Sequence, residues 1–178
     1  EERANLSELT ARLAQREARV KELESVISKQ DSVVRYIQNM VSDALSSYTG
    51  KGLTVENRGG KVYVSLDNRL LFESAKWTLN VGAKEALGRL AEVLAANPEL
   101  SITVEGHTDS DAFSGRNGVR DNWDLSVMRA TAVVKELTAK EGVDPSSIVA
   151  SGRGEFAPIA ENDTDENKAK NRRTEVII

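Results

Sequence analysis

Two side chains of opposite charge, Asp109 and Arg129, flank one predicted strand-to-helix connection. The residues Ser101-Ile102-Thr103-Val104-Glu105-Gly106-His107 alternate apolar and polar types with β-branched members, which predicts a strand. A polar turn follows with Thr108, Asp109, Ser110 and Asp111, then a loop rich in Gly, Asn and Arg. A helix opens near Asn122–Asp124 and carries Arg129 about one and a half turns in. An acid at a strand end and an arginine on the next helix can converge on one small zwitterion. The carboxylate would take an ammonium, and the guanidinium fork would take a carboxylate. A helix N-terminus near Leu125 would add backbone N–H donors and partial positive charge for that same carboxylate.

Other chemistries lack their parts. His107 is the only histidine, and no serine elbow or second base accompanies it, so a structural role is expected. Asp109 and Asp111 resemble the start of a calcium loop, but no D-x-D-x-D-G register with a terminal Glu follows, so no metal is expected. Gly152-Arg153-Gly154 is too short for a dinucleotide fingerprint and reads as turn glycines; no cofactor is expected. Trp77 and Trp123 read as packing or loop anchors rather than a sugar-stacking platform. Zero cysteines exclude disulfides, thiolate metal sites and cysteine nucleophiles. A net charge of -4 gives no case for nucleic acid, which wants a concentrated basic face. No run of 18 apolar residues exists to cross a membrane. Neither a signal peptide nor a lipidation motif is visible, and a first residue Glu1 suggests a mature or truncated piece whose membrane anchor lies elsewhere. These readings together predict binding rather than enzymatic turnover.

Two units must position the pair. Residues 1–49 hold no Gly or Pro, and stepping by seven from Leu6 meets Leu13, Val20, Ile27, Val34, Val41 and Tyr48. The companion positions are Leu9, Arg16, Leu23, Gln30, Ile37 and Ala44. A heptad held this long predicts a left-handed coiled coil, with β-branched and Leu positions favouring two parallel strands. The stripe widens from Val33 to Tyr48, where it could pack on a partner or on the following domain. Residues 50–178 read as the globular domain. A hairpin spans Leu53–Glu56 and Lys61–Leu66, and Leu70–Ser74 closes the second strand's run. A helix is expected over Asn80–Ala96 and another over Asp124–Lys140; strands are expected at Ile148–Gly152 and Thr174–Ile178, with a short helix near Asp165–Lys170. The class is α/β: a mixed β-sheet packed against helices, behind a long helical spacer. Alternation puts Arg172 and Arg173 on opposite faces, so at most one can face the site.

Gly106–Ser110 (GHTDS), Asn122–Ala130 (NWDLSVMRA) and Asn171–Ile178 (NRRTEVII), in that order, resemble the OmpA-like peptidoglycan-binding domain, shared by OmpA-type porin tails, peptidoglycan-associated lipoproteins and MotB-type stator proteins. The likeness spans about Leu53–Ile178 and leaves the helical rod outside. It implies non-covalent binding of the diaminopimelate residue of the peptidoglycan stem peptide, in the periplasm of a Gram-negative bacterium. Carried over by motif position, Asp109 would accept the ligand ammonium and Arg129 would hold its carboxylate. Arg172 would assist, Asn122 would bond the ligand or cap the helix, and Phe72, Glu73, Thr108 and Leu125 would line the pocket. Glu73 stands where many members carry Asp, and the Ala112–Arg120 run is insert-like, so its contacts do not transfer. The rod would make a homodimer, anchoring an outer-membrane or envelope protein to the cell wall. The alternative is the periplasmic part of a MotB-type motor stator.

Overall fold

The computed structural model describes residues 2–73 and 76–178. Its first element is a helix, α1 (Glu2–Ala44), uninterrupted because the sequence offers it no Gly or Pro until Gly50. The chain then turns and pairs β1 (Leu53–Arg58) with β2 (Lys61–Asp67) as an antiparallel hairpin. The expected strand end at Leu70–Ser74 is not one. Asp67 accepts the Arg69 N–H and caps a single helical turn, α2 (Asn68–Leu71), while Ser74 falls outside the described residues. Helix α3 (Val81–Ala95) follows with Asn80 as its cap, and then come β3 (Ile102–Gly106) and α4 (Asn122–Thr138). A 3₁₀ turn leads into β4 (Ile148–Gly152), and α5 (Asp165–Asn171) leads into β5 (Arg173–Ile177).

The five strands form one mixed sheet in the order β1-β2-β5-β3-β4. Only β3 and β4 run parallel, joined through α4, whereas β5 lies antiparallel between β2 and β3. The last strand of the sequence therefore becomes the middle strand of the sheet. Val64 and Leu66 of β2, Val104 of β3 and Val176 of β5 point into one core with Leu87, Leu90, Val133 and Leu137 of the helices.

The rod and the domain are continuous in packing. Val41 and Leu45 belong to this core, Val34 is buried, and Ile37 and Tyr48 pack against it. The broadened end of the heptad stripe thus lies on the chain's own domain. Upstream, Leu6, Leu9, Leu13, Val20, Leu23 and Ile27 remain exposed along the same stripe.

Two glycines bring α4 onto the strand ends. Gly106 and Gly152 are register partners at the close of β3 and β4. A Cβ on Gly106 would overlap the Ser126 carbonyl, and one on Gly152 would strike the Ser126 hydroxyl and Val127. Gly152 is therefore a close-approach residue rather than the turn glycine its neighbours suggested.

Candidate functional site

The parallel β3–α4–β4 unit delivers the site. Beyond Gly106 the chain is pinned by the His107 N–H to the Arg173 carbonyl (2.9 Å) and the Thr108 N–H to the Gly154 carbonyl (2.8 Å). Asp109 follows, buried, with Oδ1 accepting the Asp111 N–H at 3.1 Å and Oδ2 paired with Arg172. Opposite, α4 presents Arg129, which is 7% exposed. Its guanidinium carbon lies 5.4 Å from the centre of the Phe72 ring, and its Nε–H donates to the Lys76 carbonyl at 3.4 Å. No carboxylate of the described residues forms an ion pair with it. Burial, against the pull of Asp109 and with the push of Arg172, lowers the Arg129 pKa to about 10. The group stays cationic near neutrality, and the acid that acts on it, Asp109, is already paired with Arg172. The arrangement has room electrostatically for one more anion.

Most expected site residues meet here, with changes of role. Asp109, Arg129, Arg172 and Phe72 form the cluster. Asn122 does not cap the helix, because Asp121 does so by accepting the Asp124 N–H at 2.9 Å. The Asn122 amide instead donates to the Asp109 carbonyl (3.4 Å), the Asp111 carbonyl (3.0 Å) and Glu155 (2.5 Å). Thr108 is buried and donates its hydroxyl to the Asp109 carbonyl at 2.9 Å, so it shapes the turn. The Leu125 N–H bonds to the Asp121 carbonyl at 3.0 Å, which shifts the helix-start donors to Asn122 and Trp123. Glu73 is exposed and its carboxylate pairs with Lys76 rather than with Arg129 or Arg172. Of Arg172 and Arg173 only the first joins the cluster, from the end of α5 and not from a strand: Arg173 opens β5, pairs with Glu175 and donates to the Ala157 carbonyl.

Three positioning residues escaped the sequence reading. Asn171 accepts from the Ile159 and Ala160 N–H groups and donates to the Ala160 carbonyl and to Asn162, whose side chain in turn accepts the Ser110 N–H. Asn68 donates to the His107 carbonyl and accepts from Thr174. Glu155 anchors Asn122. Only Asn171 carried a signal, as the residue opening N-R-R; the other two act across the fold.

On the other face of β5, His107 lies 3.3 Å from Glu105 and 3.6 Å from Glu175, with both ring nitrogens buried and without hydrogen bonds. The three residues have metal-ligand spacing. Arg58, Arg153 and Arg173 already compensate the two carboxylates, which makes this an ion-pair network. Burial alone would raise the Glu175 pKa, but His107, Arg58 and Arg173 hold it down at about 2. A pKa depressed on folding stabilises above the ordinary carboxyl value near 4.5, and that contribution fades as pH falls towards about 2. Urea denaturation between pH 5 and 2 should therefore lose up to about 3 kcal/mol through this group, and Glu175→Gln should flatten that part of the profile.

A mixed sheet with this order, a strand-to-helix acid–base cluster and a terminal central strand define an OmpA-like domain. The chain belongs to the OmpA family, whose model matches residues 71–172, more than half of it. It is 40% identical over 94 residues to the peptidoglycan-binding protein ArfA of Mycobacterium tuberculosis, covering 53% of this chain and 27% of that protein. The crystal structure of a MotB-like protein from Desulfovibrio vulgaris superposes with a TM-score of 0.72 at 25% identity, covering 83% of this chain and 93% of that one. The cell wall anchor of the T6SS from Pseudomonas aeruginosa gives 0.70 at 28% identity, covering 78% and 95%. The chain spans about half the length of the curated relatives it matches first. No described helix is long and apolar enough to cross a membrane.

Proposed function

We propose that this chain binds peptidoglycan without covalent chemistry, gripping the diaminopimelate end of the stem peptide at Asp109, Arg129 and Arg172, and so tethers an envelope protein to the cell wall. The observation that carries the reading is Arg129, a buried cation with no carboxylate partner among the described residues. A ligand carboxylate completes it, while the lone pairs left on Asp109 accept the ammonium. The name of ArfA and the Pseudomonas cell wall anchor support the polymer as ligand. The setting is the periplasm of a Gram-negative bacterium, in association with the outer membrane.

The exposed seam from Leu6 to Ile27 favours a homodimer through α1. Because Val34 and Val41 are already buried, the inter-chain contact lies upstream of them. Two sites on one rod gain avidity when both reach the mesh. The likeness to a MotB-like structure supports a second reading, in which the tethered assembly is an ion-driven motor stator.

Cosedimentation with purified sacculi tests the proposal. A free stem tripeptide ending in diaminopimelate should release the protein, whereas the same tripeptide with lysine in that place, whose side chain carries an amine but no carboxylate, should not. A protein that stays in the supernatant, or that ignores the diaminopimelate tripeptide, would refute the ligand. Light scattering at tens of micromolar should give a dimer; a monomer refutes the rod assignment.

A further inference from the structure

Beside the charged cluster, two aromatic side chains stack in the open. The rings of Trp123 and Phe156 have centroids 5.2 Å apart and planes 25° apart, yet are 49% and 66% exposed. They come from different segments, the start of α4 and the loop after β4, so neither is a chance neighbour of the other. Trp123 thus anchors the loop after β4, the packing or loop-anchor role that the sequence suggested, and still leaves about half of its surface open. The pair borders an open groove of about 250 Å³, lined also by Phe113, Asp121, Asn122 and Glu155.

The rim chemistry narrows the occupant. Carboxylates beside aromatic faces repel nucleic acid and are depleted at protein–protein interface cores. A pyranose suits them: its C–H face lies on an aromatic ring while its hydroxyls donate to carboxylates at the edge. The groove also adjoins the charged cluster through Asn122, which lines it and donates to the Asp109 carbonyl. One ligand spanning both would carry an amino-acid end and a sugar.

We propose that this groove is a sugar subsite, taking an N-acetylated pyranose of the glycan strand whose stem peptide lies against Asp109 and Arg129. The assignment rests on the peptidoglycan reading above and adds the second half of the polymer to it.

The test separates the halves. In a Trp77→Phe background the sole indole is Trp123, since the chain has two tryptophans. Glycan strands stripped of stem peptides by an amidase should shift its emission. Phe156→Ala and Trp123→Ala, followed by calorimetry, should each weaken glycan binding roughly tenfold and leave binding of the free stem tripeptide within about twofold. Glycan that binds the variants as well as the parent, or produces no shift at millimolar sugar, overturns the subsite alone. Emission that follows protein rather than sugar concentration assigns the face to a second copy, and also overturns it. A tripeptide that fails to bind the parent sinks the peptidoglycan reading, and this subsite with it.

Discussion

Arg129→Met is expected to weaken binding to peptidoglycan about a hundredfold while leaving the fold as stable as the parent or more so. Two charge-assisted hydrogen bonds from the guanidinium to a ligand carboxylate contribute about 3 kcal/mol together, which sets the size of the loss. Stability should move the other way because Arg129 is a buried cation whose burial outweighs the help it gets from Asp109. A methionine offers a thioether to the Phe72 ring where the guanidinium lay and removes the desolvated charge. Asp109→Ala makes the useful contrast. It also abolishes binding, but it strips Arg172 of its partner and leaves two guanidiniums facing each other, so it should destabilise by about 2–3 kcal/mol. Sacculus cosedimentation alongside urea denaturation reads both quantities. If Arg129→Met binds as the parent does, the cluster is a structural ion pair and not the ligand site.

Gly106→Ala should be the most damaging single-methyl change in the domain, costing roughly 3–4 kcal/mol and taking ligand binding with it. The added Cβ would overlap backbone atoms of Ser126, which cannot swing aside as a side-chain tip can. Helix α4 would have to lift from β3, and Arg129 would leave Asp109 as it did so. Gly88, in the middle of α3, is the internal control: a Cβ there meets nothing within 4 Å. Gly88→Ala should accordingly stabilise, by about 0.5–1 kcal/mol, through helix propensity. Thermal and urea denaturation of the two variants should move in opposite directions. Equal tolerance at both positions would show that α4 does not need the bare strand end.

Much of this molecule is local and therefore readable. The heptad rod, the hairpin around Asn57–Gly60, the β3 strand and both long helices follow from periodicity and from capping or breaking residues, which act within a few positions of themselves. Asp109 and Arg129 were legible as an acid at a strand end and an arginine on the next helix, and the resemblance of NRRTEVII to the family motif added Arg172. Arg172, at the end of α5, and Arg173, at the start of β5, also take different partners, so only one of them reaches Asp109.

What no window of sequence contained was partnership across the sheet. Pairing β5 between β2 and β3 is a choice among long-range registers, and it alone brings Arg172 to Asp109. The same packing assigned the helix cap to Asp121 and freed Asn122 to hold two carbonyls of the Asp109 turn. It laid Val34 and Val41 on the domain while leaving the identical stripe upstream exposed, since side-chain type cannot say which apolar surface arrives first. Periodicity and charge along the chain determined the elements and singled out the acid–arginine pair. Tertiary packing decided which partner each charge meets, because that depends on distance in space and not on spacing in sequence.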